Sequence, residues 1–206
     1  MADRSPFARV YDTHDPAAFE GVYDDWADSY DADLDAAGYA TPDRVATALA
    51  DHAPDRAAPI LDFACGSGLS GLALRRAGFS TVDGTDVSQR MLDRAAATGA
   101  YRSLAKVAHD APLPTGYAII AATGAISRGA APPETLDAVA AALPPRGLLA
   151  LSYNDHTLED AAYTDRRAAL VADGTFETLF EAHGPHLPDL GLNATVYILR
   201  RGAKRP

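Results

Sequence analysis

The chain holds a single cysteine, Cys65, among 206 residues. One thiol excludes an intramolecular disulfide and any metal site built from several cysteines, and it suits a reducing, cytoplasmic setting. Basic residues are also scarce. Lys and Arg number 18 against 28 Asp and Glu, a net charge of -10. Such a surface repels phosphate backbones, so nucleic acid is not the expected partner. The one basic cluster, Arg200-Arg201-Gly202-Ala203-Lys204-Arg205, reads as a solvated end. No apolar run approaches the ~20 residues of a membrane span. The start, with Asp3, Arg4 and Pro6, lacks the apolar region of a secretory signal. No repeat and no low-complexity linker is found.

What is present suits a globular chain. The hydrophobic fraction is 48% and the charged fraction 22%, and the length suffices for one domain with a sizeable core. The expected division is a loose arm over 1–14, a helical cap over 15–53 and a core over 59–200. That core is organised around residues 60–71, Ile-Leu-Asp-Phe-Ala-Cys-Gly-Ser-Gly-Leu-Ser-Gly. An apolar run ends in Asp62. Small residues follow, with Gly66, Gly68 and Gly71. Leu69, Leu72, Ala73 and Leu74 then begin an amphipathic pattern. The sequence predicts strand, tight turn and helix. Glycine lets a ligand approach where a Cβ would block it, and the helix start offers unpaired N–H groups. A loop of this kind binds a nucleotide-like cofactor.

Two cofactors compete. Gly66-Ser67-Gly68-Leu69-Ser70-Gly71 is literally G-x-G-x-x-G, the dinucleotide fingerprint, and a lone match is weak. The second reading starts before the glycines. Asp62 stands four residues ahead of Gly66 with Ala64 between them. This resembles motif I of the class I S-adenosylmethionine (SAM)-dependent methyltransferases, with Ala64 in place of the first glycine. The next strand is expected over Phe79 to Thr85, ending in Asp86. That carboxylate lies twenty residues beyond Gly66, a distance that suits one gripping ribose hydroxyls. Ser88 reads as the N-cap of a helix to about Thr98.

Elsewhere the chain alternates helices and strands. Asp15-Pro16 starts a helix whose apolar stripe is Phe19, Val22, Tyr23, Trp26, Tyr30 and Leu34, with Gly38 as its stop. Those rings can pack a core or wall a pocket, and a ring face attracts a cation by roughly 0.5–2 kcal/mol. Thr41-Pro42 caps a helix to about His52. A weak strand over Ser103 to Ala108 precedes His109-Asp110-Ala111-Pro112-Leu113-Pro114. Tyr117 to Ala122 is a central strand buried on both faces, followed by Thr123-Gly124-Ala125-Ile126-Ser127. A helix over Pro132 to Leu143 leads to a strand from Leu148 that ends at Tyr153-Asn154-Asp155-His156. Four polar or ionisable side chains there make a substrate rim. His156 reads equally as a general base and as an ordinary loop histidine. A helix over Thr157 to Ala172 follows. Two last strands, Phe176 to Ala182 and Ala194 to Leu199, bracket a stiff connection containing His183, Pro185, His186 and Pro188. Those histidines lack a third ligand, so no metal is expected.

The resemblance covers about Val22 to Arg200. It is similar in detail to the methyltransferase-like proteins typified by the one from the Williams–Beuren syndrome region. The residues that carry it are Val22-Tyr23-Asp24-Asp25-Trp26-Ala27, Tyr30-Asp31, Gly38-Tyr39, Leu61 to Leu69 and Thr123 to Ser127. It implies a Rossmann-like α/β fold: a mostly parallel seven-stranded sheet, a C-terminal antiparallel hairpin and an N-terminal helical cap. It implies SAM as the cofactor. Ala64, Cys65, Gly66 and Gly68 would cradle it with Asp62, while Tyr30 approaches its methionine part. Asp86 would hold its ribose. Val87, Met91, Asp110 and the N–H of Ala111 would serve its adenine, and Thr123 would face the methyl. By pattern alone Met91 is a core residue and Cys65 a small packing residue. Tyr23, Trp26, Tyr153, Asn154 and His156 are the candidate substrate contacts. The absence of an Asn/Asp-Pro-Pro-Tyr motif and of a Pro-Cys pair argues against DNA base methylation, so the expected acceptor is a small molecule. Ala118 stands where relatives place Asp, and Arg146 where they place glycine. The alternatives are a nicotinamide-dependent oxidoreductase and a non-catalytic SAM-binding protein.

Overall fold

A computed structural model describes residues 32–203 together with Gly21 and Ser29. The expected contacts Tyr23, Trp26 and Tyr30, the arm over 1–14, and Lys204 and Arg205 of the basic tail lie outside the described residues. Residues 32–36 are helical, and Gly38 ends that turn at φ 71°.

The sheet has seven strands in the order β3-β2-β1-β4-β5-β7-β6. They are β1 (Ile60–Phe63), β2 (Val82–Asp86), β3 (Ser103–Lys106), β4 (Ile119–Ala122), β5 (Leu148–Asn154), β6 (Phe176–Leu187) and β7 (Leu192–Arg201). The first five pair in parallel, and β7 runs antiparallel to both β5 and β6. Strand order reverses between β1 and β4, the place where open α/β sheets bind ligands.

Side chains alternate across the sheet and build two cores. On one face Leu61, Ile120, Leu149, Leu151 and Leu199 pack with Leu136 and Val139 of α4 (Thr135–Ala142) and Leu170 of α6 (Ala161–Ala172). On the other, Ile60, Val82, Ile119, Leu148 and Ile198 pack with Val45 and Leu49 of α1 (Thr41–His52) and Leu74 of α2 (Leu69–Arg76). α3 (Gln89–Ala97) follows β2, and the single turn α5 (Asp155–Leu158) follows β5.

Three details differ from the sequence expectation. The helix expected over 157–172 is broken, because the Asp160 carboxylate accepts from the Ala162 N–H and starts α6 afresh. The connection expected after Ala182 is strand instead. β6 lies at the sheet edge, where a proline is tolerated, and its register shifts between Pro185 and Leu187. Thr41 does not cap α1. The N-cap is Ala40, and the Thr41 hydroxyl pairs with His186 Nδ1 at 2.8 Å.

Arg146 sits in the turn before β5 at φ 66°. A non-glycine residue pays about 1–2 kcal/mol there, and the Arg146 side chain is exposed. Arg146→Gly therefore stabilises the fold by about 0.5–1 kcal/mol after the added unfolded-chain entropy. Thermal unfolding should show a midpoint higher by about 1–4 °C.

Candidate active site

The turn from β1 into α2 is built on left-handed residues. Ala64 has φ 52°, Gly66 φ 55° and Gly68 φ 99°. Ala64 thus takes up the strained conformation that the missing glycine would adopt freely. The Cys65 N–H donates to Thr85 O at 2.9 Å and the Gly68 N–H to Cys65 O at 3.0 Å, which tie the loop to β2 and to itself. A Cβ on Gly66 would meet nothing within 4 Å, so its open side faces free space. α2 begins with Gly68 as its cap and no side-chain cap, and the Gly71 N–H of its first turn donates to the Tyr101 hydroxyl at 3.1 Å. A small, half-open cleft lies over this loop. It is lined by Tyr39, Ala64, Gly66, Ser67, Leu69 and Thr123, among others.

Two buried carboxylates flank the loop. Asp62, 1% exposed, accepts from the Ser70 hydroxyl at 2.6 Å and the Tyr101 hydroxyl at 2.7 Å. Both bonds go to Oδ2. Oδ1 is buried and has no hydrogen-bond partner among the described residues. Burial pushes the Asp62 carboxyl up to about 6, with the Asp86 charge adding and the Ser70 and Tyr101 bonds opposing. Asp86, also buried, accepts from the Gly66 N–H and the Ser88 N–H, each at 2.9 Å. The Ser88 hydroxyl in turn accepts from the Met91 N–H at 3.1 Å, as the expected N-cap of α3. Burial, helped by the Asp62 and Asp86 charges, drives the Cys65 thiol far above its ordinary range. It is a packing residue and not a nucleophile.

The remaining expected residues divide. Val87 is half-buried beside Asp86, Met91 is buried at the head of α3, and Thr123 lines the cleft. Asp110 is exposed in the loop after β3. The Ala111 N–H is engaged, donating to Ala108 O at 3.1 Å, so it closes a turn where a free donor was expected. Tyr153 is not on a rim. It is fully buried, and its ring packs edge-on against Tyr163 and Tyr197. Strand alternation turns residue 153 into the core and Ser152 the other way, where the Ser152 hydroxyl accepts from the Gly124 N–H. Asn154 caps α5, its carbonyl accepting from the Thr157 N–H and hydroxyl at 2.9 and 2.8 Å. His156 is half-buried in α5. Beside it, Asp155 pairs with His183 at 2.8 Å.

Sequence reading missed Tyr39, Ser70 and Tyr101. Tyr39 lines the cleft, its ring edge-on to His186 with centroids 5.3 Å apart. Burial pushes His186 down to about 4, so it is a neutral support. The Gly38-Tyr39 pair was itself a signal, though not of a role. Tyr101 carried no signal, since it precedes a weak strand outside any motif. Among the described residues no group of three His, Cys, Asp or Glu side chains is placed to hold a metal, and no helix is long and apolar enough to cross a membrane.

A nucleotide-like sulfonium cofactor fits these residues. Asp62 Oδ1 and the Ser67 hydroxyl are buried without a partner among the described residues, and the open side of Gly66 leaves room for a ligand. Comparison with known proteins agrees. A methyltransferase-domain family model matches residues 33–188, most of the chain, and the protein belongs to that family. It has the class I, Rossmann-like fold. Members are one-carbon transferases, and SAM is the methyl donor of such a domain. More particularly, the chain is 38% identical over 117 residues to human methyltransferase-like protein 27. That match covers 53% of this chain and 47% of the relative, so it spans about half the length of each. Among solved structures, magnesium protoporphyrin IX methyltransferase from Synechocystis PCC 6803 has a TM-score of 0.61 at 16% identity, covering 98% of this chain and 92% of that one. The [4+2]-cyclase SpnF has a TM-score of 0.58 at 14% identity, covering 79% and 82%. These two show the fold alone.

Proposed function

We propose that this chain, as one methyltransferase unit with 15–53 as its cap, binds SAM over the Gly66 loop and passes its methyl to a small-molecule acceptor in line with the breaking bond. The observation that carries the reading is the pair of buried carboxylates, Asp62 and Asp86, on either side of a glycine loop open to a cleft. Asp62 Oδ1 receives the donor's ammonium, the Asp86 carboxylate its ribose hydroxyls, and Val87 and Met91 its adenine. Asp110 reaches the adenine amino group from its exposed loop. Thr123 and Tyr39 line the space beside the methyl. The bound donor supplies a methyl already activated on a sulfonium. The chain's own task is therefore alignment, which contributes about 7–11 kcal/mol when reacting atoms are held in place, and exclusion of water. No base is required unless the acceptor arrives protonated, and His156 is the candidate if it does. The identity to methyltransferase-like protein 27 supports placement in that branch. The net charge of -10 supports an acceptor other than nucleic acid.

Calorimetry with S-adenosylhomocysteine tests the cofactor. Binding at micromolar to low-millimolar ligand is expected, and silence at millimolar ligand sinks the reading. Reduced nicotinamide cofactors should give no fluorescence change. Ala118 in place of the relatives' Asp, with the small residues Thr123 to Ser127 after β4, admits one second reading, in which the cofactor binds but no methyl moves. Turnover of labelled donor against a panel of small acceptors separates the two.

A further inference from the structure

The three glycines of the loop motif do different jobs. Gly66 faces open space, but Gly68 and Gly71 face a ring. A Cβ on Gly71 would stand 2.3 Å from Cζ of Tyr101, and one on Gly68 would stand 3.2 Å from its Cε2. Gly84 of β2 completes the slot, since a Cβ there would lie 3.0 Å from Tyr101 Cδ1. Gly71 thus vacates space that the Tyr101 ring fills, while Gly68 and Gly84 border the ring and are held closer still by Ala95 and Thr98 and by Leu104 and Cys65 respectively. The hydroxyl at the far end of that ring is doubly engaged. It accepts from the Gly71 N–H at 3.1 Å and donates to Asp62 Oδ2 at 2.7 Å.

The consequence falls on Asp62. With the Ser70 hydroxyl also on Oδ2, both internal donors hold the same oxygen. The carboxylate plane is fixed from one side, and Oδ1 is left as the acceptor for something else. A carboxylate with shared donors on both oxygens would have less to offer a cation.

We propose that Tyr101 is a positioning residue of the methyl-donor site, seated against Gly71 and bordered by Gly68 and Gly84, and holding Asp62 so that Oδ1 is presented to the donor's ammonium. This rests on the reading of the cleft as a SAM site. It also accounts for Gly71, which the dinucleotide reading would assign to helix–strand packing.

The test is Tyr101→Phe, which keeps the ring in the slot and removes only the hydroxyl. The readout is S-adenosylhomocysteine affinity by calorimetry from pH 5 to 8. Besides Tyr101, the groups that face Asp62 are Ser70, Cys65 and Asp86, and none of these changes. In the wild type, affinity should rise with pH as Asp62 becomes a carboxylate and then level off. Tyr101→Phe should bind at least fivefold more weakly at pH 6, with the midpoint of the profile moved to higher pH, because the carboxylate has lost a donor. Ser70→Ala, which removes the other donor, should move it the same way and serves if the phenylalanine variant does not fold. A wild type that binds, with both profile and affinity unmoved in the variants, overturns the proposal. A wild type that does not bind overturns the SAM reading itself. Gly71→Ala should destabilise the protein, and Gly71→Ala/Tyr101→Ala should recover part of that loss. Simple additivity would refute the slot.

Discussion

Asp86→Ala weakens S-adenosylhomocysteine binding ten- to a hundredfold and loosens the loop that binds it. Two separate losses produce this. The first is to the ligand: a charged hydrogen bond contributes about 1.5–3 kcal/mol, and each 1.4 kcal/mol is tenfold in affinity. The second is internal. Asp86 accepts from the Gly66 N–H on one oxygen and the Ser88 N–H on the other. It thereby joins the glycine loop to the start of α3, whose cap is Ser88. Alanine leaves both donors unpaired in a buried setting, which costs at least about 2 kcal/mol. Asp86→Asn keeps one acceptor oxygen and should lose less on both counts. Calorimetry gives the affinities, and urea unfolding without ligand gives the stabilities. Asp86→Ala with wild-type affinity would remove the ribose assignment. Unchanged stability would remove the internal one.

What was legible in the sequence is what depends on near neighbours. β4 (Ile-Ile-Ala-Ala) and the first half of β5 (Leu-Leu-Ala-Leu) are continuous apolar runs, and a strand buried on both faces needs nothing else to be read. Gly78 and Gly174, both at positive φ, mark the ends of α2 and α6, where glycine is the ordinary helix stop. Asp62, Gly66, Asp86 and Ser88 belong to local motifs whose spacing carries the geometry. Two of the failures are non-local. Tyr101 reaches Asp62 from 39 residues away, and no periodicity connects them. Prolines in β6 read as a stop because nothing in the sequence says that this strand lies at an edge. Tyr153 was assigned to a rim by its polar hydroxyl. The alternation of β5, counted from Leu149 and Leu151, already points it inward.

Asp62 makes stability fall as the pH rises from about 4 to about 6, by about 3 kcal/mol. Its carboxyl is raised from an ordinary 3.8 to about 6, chiefly by burial. Between those values the folded chain holds a proton that the unfolded chain has released. The stabilisation is complete below 3.8 and is lost as the pH rises through about 6. Asp62→Asn carries no charge at any pH, so this slope should vanish from it. Urea unfolding of both proteins from pH 4 to 7 should show the wild type losing about 3 kcal/mol relative to the variant. Parallel curves would refute a buried, raised Asp62. Asp83 acts in the opposite sense and in a lower window. Hydrogen bonding from Arg102, with help from Ser103 and Tyr117, holds its carboxyl at about 2. Its contribution is present above 3.8 and is lost as the pH falls through about 2. Both proteins keep Asp83, so the difference between them cancels it. Saturating S-adenosylhomocysteine adds a second check. Its ammonium beside Oδ1 favours the carboxylate, so the ligand should flatten the wild-type slope and leave the Asp62→Asn curve unchanged in shape.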